Sequence, residues 1–149
     1  MSLHRQSSYA STMKIEMLFK AKENGSLHAI SEAEATSGDR TSVEHALHVV
    51  PEYYNLLASG KKSVEGRLNM GDEAHVCVGD ILVMNGTLRL HVKRIALYGS
   101  IQEYLVTEGL DVCLPDKDTI DEGVQVYYRF YTPEQEAEFG VLAFEVTVL

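Results

Sequence analysis

The chain has 149 residues, enough for one domain with a tail and a real core, and its hydrophobic share of 45% is ordinary for a globular protein. Its 13 basic and 22 acidic residues give a net charge of −9, which argues against broad electrostatic capture of duplex nucleic acid. No apolar run approaches the roughly 18 residues that span a bilayer, and Cys77 and Cys113 form neither a metal motif nor a disulfide framework, so they read as reduced, packed thiols.

Residues 1–43 lack sustained apolar periodicity and are expected to be a flexible or poorly ordered N-terminal segment, with the folded domain over 44–149. Within that segment the first 15 residues, Ser-rich with Arg5 and Lys14 and no acid, are weakly like a transit peptide but lack a secretory apolar core, and read rather as a disordered leader or as added residues. The stretch 13–19 is able to pair as a short strand, and 23–40 has loop composition. Ala46-Leu47-His48-Val49-Val50 predicts a first strand. Pro51 and Glu52 then suit the first turn of a helix, whose Tyr53, Leu56 and Leu57 share one face. Gly60 stands where the helix C-terminal cap belongs. The chain turns into a strand over 63–68, in which Ser63, Glu65 and Arg67 share a polar face.

Val78-Gly79-Asp80 is a turn before a strand over 81–84. Asn85-Gly86 is a strong two-residue hairpin signal, and the return strand covers 87–98 with its alternation broken at Lys93-Arg94. Ser100, with Glu103 three residues on, marks a helix over 101–107. An acidic loop is expected over 115–123 and a strand over 124–130. Thr132-Pro133-Glu134-Gln135 caps a short helix that Gly140 ends, and 141–149 is the final strand. Four or five strands, short helices and a tight hairpin predict an α+β fold, a small mixed β-barrel with short peripheral helices.

Charge is unevenly distributed. From Lys61 to Arg94 there are six bases against four acids, and from Glu103 to Glu145 eleven acids against two bases. The pattern suits a locally basic site on an acidic, solvated body.

Four landmarks stand in a recognisable order. They are His45 followed by Pro51-Glu52-Tyr53-Tyr54; Ser59-Gly60-Lys61-Lys62-Ser63-Val64-Glu65-Gly66-Arg67-Leu68; Val78-Gly79-Asp80-Ile81-Leu82; and the tail from Phe130-Tyr131-Thr132-Pro133-Glu134 through Phe139-Gly140-Val141-Leu142-Ala143-Phe144. On these residues the chain resembles the ASCH family over roughly residues 45 to 149. The Gly-Lys-Lys-Ser-Val-Glu-Gly-Arg block is the most specific part. The resemblance implies a PUA-like barrel, a cleft beside the motif strand and an RNA-linked role. Family members include RNA-associated proteins, coactivator-attached domains, small hydrolases that deacetylate acetylcytidine, and a ribonuclease. In the hydrolase branch the site consists of a Lys in the motif, a Thr three residues later and a Glu in the helix after the hairpin. Lys62 matches the Lys and Glu108 falls near the acid, whereas Glu65 stands where that branch has Thr.

The residues themselves leave several roles open. Lys62 serves as a base or nucleophile only if its pKa falls well below about 10.4, with Lys61 and Arg67 as cationic neighbours; otherwise it is a cation near phosphate. Glu65 is able to accept from the exocyclic amine of a base, to activate water, or simply to pair with Arg67. Arg67 suits planar recognition of phosphate or carboxylate. Of Tyr53, Tyr54, Tyr127, Tyr128 and Tyr131, one or two are expected to stack on a base.

The expected catalytic set is therefore Lys62, Glu65 and Glu108. The expected ligand-binding set is Lys61, Ser63, Arg67, Tyr54 and Tyr131. His45 and His48 read as structural, and no metal or cofactor is expected. The first function is a module that binds RNA or a small modified nucleoside. The alternative is a hydrolase, amidohydrolase-like or ribonuclease-like, and a protein-interaction domain is the third reading. The expected setting is a monomer in the cytoplasm or nucleus, away from membranes, with a protein partner left open.

Overall fold

A computed structural model describes residues 30–31 and 40–149. Its elements in chain order are β1 (Ile30–Ser31), β2 (Glu44–Leu47), α1 (Pro51–Ala58), β3 (Val64–Leu68), a 3-10 turn (Gly71–His75), β4 (Ile81–Met84) and β5 (Leu88–Tyr98). There follow α2 (Ile101–Glu108), α3 (Leu110–Cys113), α4 (Ile120–Tyr128), α5 (Pro133–Phe139) and β6 (Val141–Val148).

The Asn85-Gly86 turn starts the sheet. Both residues take left-handed backbone, with φ of 52° and 77°, as a tight two-residue hairpin requires. It joins β4 to β5 with Leu82 opposite Leu90. From this hairpin the sheet extends in the order β2-β4-β5-β6-β3, with β1 beside β5. Only the β2–β4 pairing is parallel among the described strands. Lys93 is the extra residue between the pairs Val92–Val146 and Arg94–Glu145, so the break expected there is a bulge.

The sheet curls into a half-barrel and buries both faces. One face carries Leu82, Met84, Leu90, Val92, Leu142 and Phe144, closed by Leu57 of α1. The other carries Val64, Leu68, Tyr98, Val141 and Ala143 against Ile101, Tyr104 and Leu105 of α2 and Val126 and Tyr127 of α4. Each fully buried Leu or Phe contributes about 1.5–3 kcal/mol of transfer free energy. The expected α+β class, with short helices around a barrel-like sheet, is what the chain adopts.

Helix caps follow the sequence signals. Ser100 Oγ accepts from the Glu103 N–H at 3.0 Å. Thr132 and Gln135 form a complete capping box at the start of α5. Gly60 follows α1 with φ of 79°.

Three expectations are corrected. Residues 124–130 do not form a strand; α4 occupies most of them. Thr119 caps that helix by accepting from the Glu122 N–H at 3.2 Å, and Gly123, Val126 and Tyr127 fall on one buried helical face. The expected acidic loop is correspondingly shorter. The first strand lies at Glu44–Leu47 rather than over 46–50, because its parallel partner β4 pairs residue for residue from Glu44–Ile81 to Leu47–Met84. The strand expected over 13–19 lies outside the described residues, as does most of the segment 1–43.

The described part of that segment is tied to the domain through Asp80, which is fully buried. Arg40 Nη1 and Nη2 donate to the two carboxylate oxygens at 2.5 and 3.0 Å. The Val43 and Cys77 N–H groups donate at 3.0 and 2.9 Å, and His45 Nε2 lies 2.8 Å away. Burial pushes the Asp80 carboxyl up, but these partners outweigh it and hold its pKa at about 2. Both cysteines are buried thiols. No described helix is long and apolar enough to cross a membrane.

Candidate functional site

The motif strand begins under α1. After Gly60 reverses the chain, the Lys62 N–H bonds back to the Leu56 carbonyl at 3.0 Å, and the Ser63 N–H bonds to the Val112 carbonyl at 3.0 Å. This path turns the Lys62 side chain inward until 1% of the residue is exposed. An ammonium has three N–H donors. Three acceptors meet this one: the Val64 carbonyl at 2.7 Å, the Cys113 carbonyl at 2.5 Å and Glu65 Oε1 at 3.2 Å. The Tyr53 ring lies beside it, 5.9 Å from Nζ to the centroid.

Glu65 is 4% exposed and is held from both sides. Lys62 takes one oxygen, and Arg67 Nη2 takes the other at 3.1 Å. Burial alone would raise the carboxyl pKa. The charges of Lys62 and Arg67 and their hydrogen bonds outweigh that effect, so it lies below the ordinary carboxylate value. Glu65 is thus ionised at neutral pH. Arg67 also donates to the His48 carbonyl at 2.6 Å, and its Nη1 lies 3.5 Å from Glu73 Oε1. Burial lowers the Arg67 pKa, but Glu65, Tyr131 and Glu73 together raise it above the usual guanidinium value. Since β3 stands at one end of the sheet and His48 follows β2 at the other, Arg67 bridges the open side of the curl.

Gly66, between these two side chains, faces the opposite way. A Cβ there would stand 2.6–2.7 Å from the Tyr104 ring. The glycine lets the ring lie against the strand, and the Tyr104 hydroxyl meets that of Tyr127 at 2.9 Å. Burial, with Glu65 nearby, keeps the Tyr127 hydroxyl well above its ordinary pKa.

Over this floor opens a cleft of about 340 Å³. Val49, Val50, Leu114 and Val126 supply apolar wall, Tyr53, Tyr127, Tyr131 and Phe130 aromatic wall, and Lys62, Glu65 and Arg67 the polar floor. Val49 is fixed by the hairpin turn. Asn85 Oδ1 accepts from its N–H at 2.9 Å, and Asn85 Nδ2 donates to its carbonyl at 2.9 Å.

The structure brings together Lys62, Glu65, Arg67 and Tyr131 of the sequence-derived set. Glu108 is elsewhere: at the end of α2 it pairs with Arg94 and accepts from the Tyr98 hydroxyl, because that helix terminus packs over β5 rather than over the motif. Lys61 is exposed beyond the cleft. Ser63 lines a second hollow with Leu57, Val146 and Thr147. Tyr54 meets Thr87 Oγ1 of the hairpin at 2.8 Å. Sequence reasoning missed Phe130, 51% exposed at the cleft with the Arg129 guanidinium 5.2 Å from its ring centroid. It was hidden by the strand expected over 124–130; recognising Thr119 as a helix cap would have placed Phe130 just past a helix end. Among the described residues, no group of three or more His, Cys, Asp or Glu side chains is arranged to hold a metal ion.

The ASCH domain model matches residues 47–149. The chain belongs to the ASCH family. The hypothetical protein PH0355, known from a crystal structure, is 37% identical, with the match covering 72% of this chain and all of that one at a TM-score of 0.70. Protein PF0455 from Pyrococcus furiosus, solved by NMR, is 38% identical over 72% of this chain and 98% of its own, with a TM-score of 0.64. No curated protein matches the chain. The ASCH resemblance drawn from the Gly-Lys-Lys-Ser-Val-Glu-Gly-Arg block thus stands, and that block builds the floor of the cleft.

Proposed function

We propose that this ASCH domain holds a nucleobase in the cleft, carried either by single-stranded RNA or by a modified nucleoside. ASCH domains are in general RNA-binding, PUA-like domains. The observation that carries the reading is a cleft with aromatic and aliphatic walls whose floor ends on the ionised Glu65 and on Arg67. Its volume falls at the small end of the range for small-molecule pockets, roughly 300–1,000 Å³. Flat apolar walls suit a base, and a few convergent polar groups fix its orientation. Phe130 and Tyr131 are the stacking candidates.

Lys62 is assigned a structural part. Its three N–H groups are matched by two carbonyls and a carboxylate, so it fixes Glu65 and offers no lone pair to a substrate. A hydrolase working in the same cleft would rely on Glu65 as the base acting on a positioned water, with Arg67 stabilising the oxyanion.

Calorimetric titration with the four common nucleosides and with a short single-stranded RNA tests the reading, alongside chromatography of acetylcytidine incubated with the protein. Saturable binding without turnover is expected. Absence of binding to every nucleoside and to the RNA would overturn it, and turnover would convert the module into the hydrolase.

A further inference from the structure

The partners already present on the cleft floor determine what a ligand is able to find there. Lys62 has no N–H left, as its three are engaged. The neutral groups each have a partner already: the His48 carbonyl accepts from Arg67, both backbone groups of Val49 bond to Asn85, and the Tyr127 hydroxyl meets that of Tyr104. Among the charged side chains of the floor, spare capacity remains on two, Glu65 and Arg67. Each oxygen of Glu65 takes one cationic donor, whereas a carboxylate has about four acceptor sites. Arg67 has five N–H groups, of which Nη2 serves His48 and Glu65 while Nη1 faces Glu73 at 3.5 Å. Formal charge cancels as well, with Lys62 and Arg67 against Glu65 and Glu73. The cleft thus presents one ionised acceptor beside one ionised donor, on a floor of no net charge.

This arrangement complements an edge that carries one donor beside one acceptor. A carboxylate bonds well to a polarised N–H, and a guanidinium to a carbonyl oxygen, because each such bond has one ionised partner. We propose that the cleft selects a lactam edge, the adjacent N–H and C=O of a uracil- or guanine-type ring, with the N–H on Glu65 and the carbonyl on Arg67. The proposal rests on the base-binding reading above and names the ligand class for that site. Phosphate contributes little to it, because both floor cations are already paired.

The test changes the ligand, so the fold is untouched. Uridine, 3-methyluridine and cytidine are titrated into the full chain, and guanosine, 1-methylguanosine and adenosine likewise. For the tighter lactam nucleoside, methylation of the ring nitrogen should weaken binding at least about tenfold, since it leaves Glu65 facing a methyl group with its acceptor sites unmet. The 5′-monophosphate should bind about as well as the nucleoside. Equal binding of the methylated and parent compounds, or tighter binding of cytidine or adenosine than of both lactam nucleosides, overturns the lactam edge and leaves base binding intact. Failure of every nucleoside and of the short RNA to bind removes base binding itself.

Discussion

Lys62 and Glu65 form an ion pair of 3.2 Å between residues that are 1% and 4% exposed. Removing one partner leaves the other charge buried and uncompensated, which costs about 3–5 kcal/mol. Lys62→Met should therefore lower the unfolding free energy by roughly that amount, read by urea denaturation. Adding Glu65→Gln should cost less than the sum of the two single changes, since the pair is coupled. A loss below about 1 kcal/mol in Lys62→Met would show that this lysine is not a structural anchor.

Phe130 is half-exposed at the cleft, so removing its ring should cost little stability. Base–aromatic stacking is worth about 1–3 kcal/mol per base, so Phe130→Ala should weaken RNA binding by roughly 5- to 150-fold. The melting temperature should move by no more than a degree or two. Unchanged affinity would take Phe130 out of the interface.

Asp80 links acid stability to the residues before β2. Its folded-state pKa of about 2 lies below the ordinary value of 3.8. The unfolded state binds this proton more tightly, so the carboxylate stabilises the fold fully above about pH 4 and the contribution fades as pH falls toward 2. The shift corresponds to roughly 2 kcal/mol. Urea unfolding between pH 5 and pH 2 should show this loss, and Asp80→Asn should flatten the profile while lowering stability at neutral pH. An equally steep profile in the variant would assign the acid sensitivity elsewhere.

Gly66 and Glu108 separate the cleft from the packing around it. In Gly66→Ala the new methyl would meet the buried Tyr104 ring, and overpacking of this kind costs about 1–3 kcal/mol. Glu108→Gln weakens the pairing with Arg94 and the bond from the Tyr98 hydroxyl. It should destabilise the fold but leave nucleoside affinity within about twofold, because Glu108 does not line the cleft. A large loss of affinity, with the fold intact, would bring Glu108 back into the site.

Local signals in the sequence predicted the framework well. Asn-Gly at 85–86 located the hairpin, Thr132 through Gln135 the capping box, and the interruption at Lys93 the bulge, because each is fixed by residues adjacent in the chain. The sharing of a face by Glu65 and Arg67 followed from strand periodicity, and their hydrogen bond confirms it. The misread segment was 124–130, expected as a strand; burial of the Gly123-Val126-Tyr127 face against α2 and α3 decides for a helix. The enclosure of Lys62 was equally illegible. Its third acceptor is the carbonyl of Cys113, 51 residues away, and backbone carbonyls leave no mark in side-chain patterns. The expectation that Lys62 meets phosphate came from its charge alone, without those partners.

Among the described strands, the one that carries the motif has a single neighbour, and that neighbour is the latest of them in sequence: Val64 pairs with Glu145 and Leu68 with Val141. On a ribosome, β2 to β5 emerge well before β6. A nascent chain is able to form the β4–β5 hairpin early, since that contact is local. It cannot anchor β3 until β6 has left the exit tunnel. The cleft is therefore assembled late, and a chain cut off before Val141 would retain the motif residues and lack the site they build.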